Sequence, residues 1–334
     1  MNLNWQGNIG PISATNGGTL QTSHGPALVA ADTLLDMIYV GKSGANLWSA
    51  STLAVNFPQW ETNARVDGSA TLSGSALESS FRPALALFNG LIHMVYVGEH
   101  GQNLWWATAK PNGQWSNVQL PFSGAQDVQP ALGVHSDGKL YLAWHEFIAA
   151  KPATYVNGRL TSPAQPEQNN IRYSSLDGRE PFEVDSWAEP QLAGSGAVLP
   201  ALCSHRGVLH LAATPESPRP RNEQILMSTL QRDGWSPFAP LAIVGREPLS
   251  AGGGAMTVLG DSLYIVYPGS GGHNIWYAWI DALGQSHGDV QVQIEGGGTP
   301  ETSAPLGVTA FDGLVCVAYK GKSGNNVWMS YGKP

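Results

Sequence analysis

Four tryptophans recur at one spacing. Trp48, Trp105, Trp276 and Trp328 each close the pattern Gly-x-x-Gly-x-Asn-x-Trp, which begins at Gly41, Gly98, Gly269 and Gly321. An indole face stacks on the C–H face of a pyranose and leaves neighbouring polar groups to hold hydroxyls. The same ring, set in a buried strand, also serves as a wedge between packed sheets, and the pattern alone leaves both readings open. The copy around Trp105 adds Arg82, Glu99 and His100 within one short stretch. A guanidinium, a carboxylate and an imidazole could form an anion-binding or acid–base centre. His145-Glu146 offers a second carboxylate beside an imidazole. Solvated loop charge accounts for these groups equally well.

Other chemistry is absent from the pattern. Gly41-Lys42-Ser43 and Gly321-Lys322-Ser323 look like the end of a phosphate-binding loop, but Asp36 and Cys316 stand where its first glycine is required. His145-Glu146 is not followed by the second histidine of a zinc helix, since Ala149 occupies that place. No Gly-x-Ser-x-Gly elbow is present. No metal-ligand spacing emerges, and no cofactor is expected. Cys203 and Cys316 lie in separate apolar segments and read as buried thiols rather than a disulfide.

The residues just named need a scaffold, and the chain supplies one by repetition. The first segment of each unit reads Pro26-Ala27-Leu28, Pro83-Ala84-Leu85, Pro130-Ala131-Leu132 and Pro200-Ala201-Leu202, with looser copies at Gly254-Ala255-Met256 and Ala304-Pro305-Leu306. A β-branched or aromatic run follows each one, for example Met37-Ile38-Tyr39-Val40 and Tyr264-Ile265-Val266-Tyr267. A third segment starts at Asn46, Asn103, Asn170, Gln224, Asn274 and Asn326, and a weaker fourth follows most of these. Turn pairs such as Asn89-Gly90 separate the runs. Four-stranded units repeated every ~40–55 residues predict the blades of a β-propeller. Six copies predict an all-β, six-bladed ring formed by residues 1–334 as a single domain. The sixth copy stops after its third strand. The N-terminal stretch Leu3–Ile9, carrying Trp5, is expected to supply the missing strand and remove an open edge. The turns of the third and fourth copies swell to about residues 146–168 and 214–221, on the face that carries the connections between blades. Arg82 is expected at the mouth of the central channel, with Gly25, Gln129, Leu199, Gly253 and Ala304.

Composition narrows the partners. Charged residues make up 13% of the chain and the net charge is −8. That argues against nucleic acid, which needs clustered Lys and Arg. No apolar run approaches the length of a membrane span, and no basic region followed by an apolar run opens the chain. A soluble protein, cytoplasmic as made or exported by a leaderless route, is expected. The composition carries no sign of oligomeric state.

The repeat, with Pro-Ala-Leu, a strand ending in Tyr-x-Gly and then Asn-Leu-Trp, resembles the fucose-binding β-propeller lectins of bacteria and fungi. That resemblance implies sugar sites between neighbouring blades, held by Arg, Glu and Trp. Here Trp recurs, while Arg82 and Glu99 supply the polar pair once, at the second blade. Sialidases are also six-bladed, and Phe81-Arg82-Pro83 is similar to their arginine motif. A triad of arginines and complete Asp-boxes are missing, Ser175-Leu176-Asp177-Gly178 being the nearest approach. The leading expectation is a non-enzymatic carbohydrate-binding lectin with glycans or glycoconjugates as partners. Its ligand residues would be Arg82, Glu99, His100, Trp48, Trp105, Trp276 and Trp328. The alternatives are a glycan-cleaving enzyme with its site in the loop-lined central funnel, using Glu146 or Glu99, and a protein-interaction scaffold.

Overall fold

The computed structural model of the chain describes residues 1–68, 76–99, 101–124, 129–156, 159–179, 182–216, 223–243 and 246–334. It is a six-bladed β-propeller. Blade one is Ala27–Ala31, Leu34–Val40, Leu47–Leu53 and Ala64–Arg65, paired in that order. Blade two follows as Ala84–Phe88, Leu91–Val97, Asn103–Ala109 and Ser116–Ser123. Blade five is Ala255–Leu259, Ser262–Pro268, Ile275–Ile280 and Ser286–Gln291. Blade six has three strands of its own, Gly307–Phe311, Leu314–Lys320 and Val327–Lys333. Its outer strand is the N-terminal Asn4–Ile9, which pairs with Val327–Lys333 through Trp5↔Gly332. Strands from both ends of the chain therefore complete the sixth blade and close the ring, as the truncated sixth repeat predicts. Among the described residues the single helical element is a 3-10 turn at Val184–Ser186, and no helix is long and apolar enough to cross a membrane.

The second strand of each blade is the most buried, which is why its sequence is a near-continuous apolar run instead of an alternation. Leu34–Val40 is buried along its whole length. Alternate side chains serve different neighbours, because strand side chains alternate faces. Leu35, Met37 and Tyr39 pack toward blade six, whereas Ile38 and Val40 pack toward blade two. Six such clusters, one for each junction between adjacent blades, hold the ring together.

Blades three and four depart from the others. The swollen third turn continues as a ladder: Lys139–Ile148 pairs with Gln168–Asp177 as far as Ile148↔Gln168. A small hairpin, Thr154–Val156 with Arg159–Ser162, lies at its tip. In blade four the third strand begins at Leu226, and Glu223–Gln224 instead pairs with Leu249–Ser250 in the connection to blade five. Most of the loop expected at 214–221 lies outside the described residues.

Candidate functional site

A shared local design appears in blades one, two, five and six, the four that carry the Gly-x-x-Gly-x-Asn-x-Trp pattern. The chain enters each of these blades through a buried hydroxyl: Thr22, Ser79, Ser250 and Thr302. Ser79 Oγ donates to the carbonyls of Phe81 and Val97 at 2.7 and 3.0 Å, and Thr22 and Thr302 make comparable bonds. The backbone of this residue bridges the first glycine of the turn, giving Thr22↔Gly41, Ser79↔Gly98, Ser250↔Gly269 and Thr302↔Gly321. The turn closes with the glycine N–H bonded to the asparagine carbonyl, at 3.1 Å for Gly98 and Asn103. The recurring first glycine is required by the tryptophan. A Cβ added at Gly41, Gly98, Gly269 or Gly321 would come 2.7, 2.8, 2.4 or 2.7 Å from Nε1 of Trp48, Trp105, Trp276 or Trp328. All four indoles are half-buried and pack against the clusters between blades. The recurrence of tryptophan is thus a packing device first. In blade six the indole is also covered from the N-terminal strand, where a Cβ on Gly10 would lie 2.6 Å from its ring.

A second device ties strand two to strand four in the same blades. Tyr39 donates its hydroxyl to Asn63 at 2.6 Å, Tyr96 to Asn117 at 3.0 Å, Tyr267 to Asp289 at 2.6 Å and Tyr319 to Asn8 at 2.5 Å. Burial raises the pKa of all four phenols, that of Tyr319 to about 12. They remain neutral donors.

On this common frame blade two carries different chemistry. A cavity of about 370 Å³ is lined by Glu78, Tyr96, Glu99, Asn103, Trp105 and Asn117, among others. Its origin is visible by comparison with blade six. There Glu301 precedes the entry hydroxyl, Lys322 follows the turn glycine, and Lys322 Nζ meets Glu301 Oε1 at 3.0 Å. In blade two the corresponding residues are Glu78, before Ser79, and Glu99, after Gly98. Two carboxylates occupy the place of an ion pair, beside a half-buried indole. Blade one has Gln21 and Lys42 at these positions. Gln21 Nε2 donates to Asn326 Oδ1 at 2.9 Å.

The structure separates the expected ligand residues. Glu99 and Trp105 line the blade-two cavity. Arg82 turns away into the central channel, where its Nη1 donates to the carbonyl of Leu306 in blade six. The polar pair expected from Arg82 and Glu99 is therefore divided between two places. His100 lies outside the described residues. Glu146 is committed elsewhere: its Oε2 accepts from Arg172 Nε at 2.8 Å and from Asn170 Nδ2 at 3.4 Å. His145 Nε2 bonds Asn169 Oδ1 at 2.5 Å, and burial lowers its pKa. The described lining of the central channel contains no carboxylate. Among the described residues no group of three or more His, Cys, Asp or Glu side chains is placed to hold a metal ion.

Sequence reasoning missed Glu78. A signal was present: Gln21-Thr22-Ser23, Glu78-Ser79-Ser80 and Glu301-Thr302-Ser303 form a repeated triplet ahead of the inner strand. Read together with Lys42, Glu99 and Lys322 after the turn glycine, it exposes the charge reversal in blade two.

No family model matches the chain, and no curated protein matches it. Solved structures do. The Penicillium chrysogenum α-L-arabinanase complexed with arabinobiose is 12% identical with a TM-score of 0.63, over 99% of this chain and 97% of that one. Trypanosoma rangeli sialidase, in complex with the inhibitor DANA, is 11% identical with a TM-score of 0.57, over 96% of this chain. The chain spans 57% of that sialidase. A Clostridium thermocellum α-L-arabinofuranosidase is 13% identical with a TM-score of 0.51, over 84% of this chain and 96% of that one. Identity at this level carries the propeller fold. These neighbours are glycoside hydrolases, not fucose-binding lectins. The finer resemblance is corrected to a general one with carbohydrate-related propellers, and the leading expectation of a non-enzymatic lectin is overturned with it.

Proposed function

We propose that the protein is a glycan-cleaving enzyme whose reaction takes place in the blade-two cavity. One observation carries the reading: Glu78 and Glu99 line a single cavity with Trp105, where the equivalent positions of blade six form a lysine–glutamate pair. Most glycoside hydrolases cleave with two carboxyl groups flanking the glycosidic bond. One protonates the departing oxygen, and the other attacks the anomeric carbon or activates water. Trp105 supplies the apolar face against which a sugar ring stacks. The Tyr96–Asn117 bond holds the cavity wall, since it fixes strand two of the blade to strand four. Glycan partners are in keeping with the glycoside hydrolases among the structural neighbours.

The test is a panel of glycosides that includes sialosides, arabinans and β-1,3-galactans, assayed with the wild-type protein, Glu78→Gln and Glu99→Gln. Turnover of at least one substrate is expected, with each variant reduced by at least ~100-fold, the lower range for loss of a positioned acid or base. Wild-type rates in both variants, or no turnover across the panel, would overturn the assignment.

A further inference from the structure

Arg82 occupies an uncommon position for a charged side chain. It stands immediately before the inner strand of blade two, is buried, and lines the axial channel. Its Nη1 reaches the Leu306 carbonyl of blade six. Its Nε is buried and has no hydrogen-bond partner among the described residues. A buried charge is retained at heavy cost unless it is paired, and a carbonyl dipole cannot neutralise it. Burial lowers the guanidinium pKa to about 10, so it stays charged at neutral pH. The other side chains of the described lining are apolar: Leu28, Leu85, Leu132, Leu202, Met256 and Val308 are representative. Pro83, Pro130 and Pro200 also face the channel. They offer no N–H, which leaves the guanidinium as the charged donor.

The channel has a volume of about 70 Å³. A water needs ~10–15 Å³ measured in this way, so the space admits an ion of a few ångströms in diameter. It is far below the ~300 Å³ or more of a site for a drug-sized molecule. A sugar is excluded on size, and a cation on charge.

We propose that the axial channel binds a small inorganic monovalent anion, of chloride or bromide size, through the guanidinium of Arg82. The bound ion neutralises the buried charge at the point where blades two and six meet across the channel, and so acts as a clasp on the ring. The site is separate from the Glu78–Glu99 cavity and does not depend on the reading given to it.

The proposal is tested on the full-length protein. Crystals grown or soaked in sodium bromide are expected to show an anomalous peak in the channel within hydrogen-bond distance of Arg82 Nε. In solution, thermal unfolding is compared in sodium chloride, sodium bromide and sodium gluconate at equal ionic strength. Chloride and bromide are expected to raise the Tm progressively with concentration, as a ligand of the folded state does. Gluconate, too large for the channel, is not. Arg82→Met is expected to abolish the difference between anions. No bromide in the channel, equal Tm values in the three salts for the wild type, or an unchanged anion difference in Arg82→Met would overturn the proposal. The wild-type measurements stand even where the variant does not fold.

Discussion

The indole of Trp105 lies against Gly98 across the blade-two hairpin, so close that a Cβ on residue 98 would sit 2.8 Å from Nε1. Trp105 pairs with Tyr96, and Gly98 directly follows the buried second strand, Leu91–Val97. Its role is to make room for the ring, a different need from the positive φ of Gly44, Gly271 and Gly324 in the equivalent turns. Replacing Gly98 by alanine is expected to displace the indole and destabilise the protein by about 1–3 kcal/mol, the usual cost of overpacking. The Tm of Gly98→Ala, set beside that of Gly90→Ala, where no atom meets the added Cβ but φ is positive, separates crowding from backbone strain. A Gly98→Ala protein as stable as the wild type would show that the ring moves freely.

The tyrosine bonds between strands two and four give a second expectation. Tyr319→Phe removes the donor to Asn8, and with it a side-chain link that reinforces the backbone ladder between blade six and the N-terminal strand. A loss of about 0.5–1.5 kcal/mol is expected from one hydrogen bond. Hydrogen exchange should rise first in Asn4–Ile9, because the N-terminal strand is the outermost of its sheet. Uniform exchange across the blade would contradict the role given to this bond.

Asp36 sets a pH dependence. It is buried in the second strand of blade one, and desolvation raises its pKa to about 6. The folded protein therefore holds a proton that the unfolded chain releases at lower pH. The sign follows: stability from this group is present below the ordinary aspartate range and is lost as pH rises through about 6. Asp36→Asn removes the loss. The variant is expected to gain on the order of 2 kcal/mol over the wild type at pH 7, with the gain shrinking toward pH 4. Denaturant unfolding at the two pH values measures it, and an equal difference at both would remove Asp36 as the cause.

His93 and His210 act in the opposite direction. Burial lowers both to about 4, so each stays neutral in the folded protein while the unfolded chain binds a proton. Their contribution to stability is lost as pH falls from the ordinary histidine range to about 4. In the Asp36→Asn background this acid destabilisation is expected to steepen, because the opposing carboxyl is gone. A flat profile between pH 4 and 6.5 in that background would refute it.

The two thiols give a last expectation. Burial pushes Cys203 and Cys316 up to about 12, leaving negligible thiolate at pH 8. Neither should react with iodoacetamide in the folded protein, and both should react in denaturant, as intact mass will report. Cys203 is half-buried, not fully buried as its sequence setting suggests, and is protected by its raised pKa, whereas rapid labelling of Cys316 in the native protein would contradict its burial.

The ring was legible because each blade repeats the same physical demand. A mostly apolar run such as Met37–Val40, a turn and a third strand, opened by Asn-x-Trp in four copies, form one unit, and six units with Trp5 left over at the start require closure. The proposed site was half legible. Glu99 and Trp105 stood out by type and spacing. Glu78 did not, since it lies in a connection whose path no local pattern specifies. Arg82 was readable as a channel-mouth residue. Its direction was not, because a long side chain goes where neighbouring backbone leaves an acceptor, and Leu306 is 224 residues away.

By itself, the sequence determined the strand pattern, the number of blades and the N-terminal closure. These follow from short-range periodicity and from contacts between adjacent strands. Tertiary structure decided the rest. It brought Glu78 beside Glu99, sent Arg82 across the channel and committed Glu146 to Arg172. The reason is physical: a propeller repeats its backbone, and the repeat specifies where each residue stands. Which side chains then meet depends on the charge and length of residues contributed by separate segments, and those are the positions at which the repeats differ.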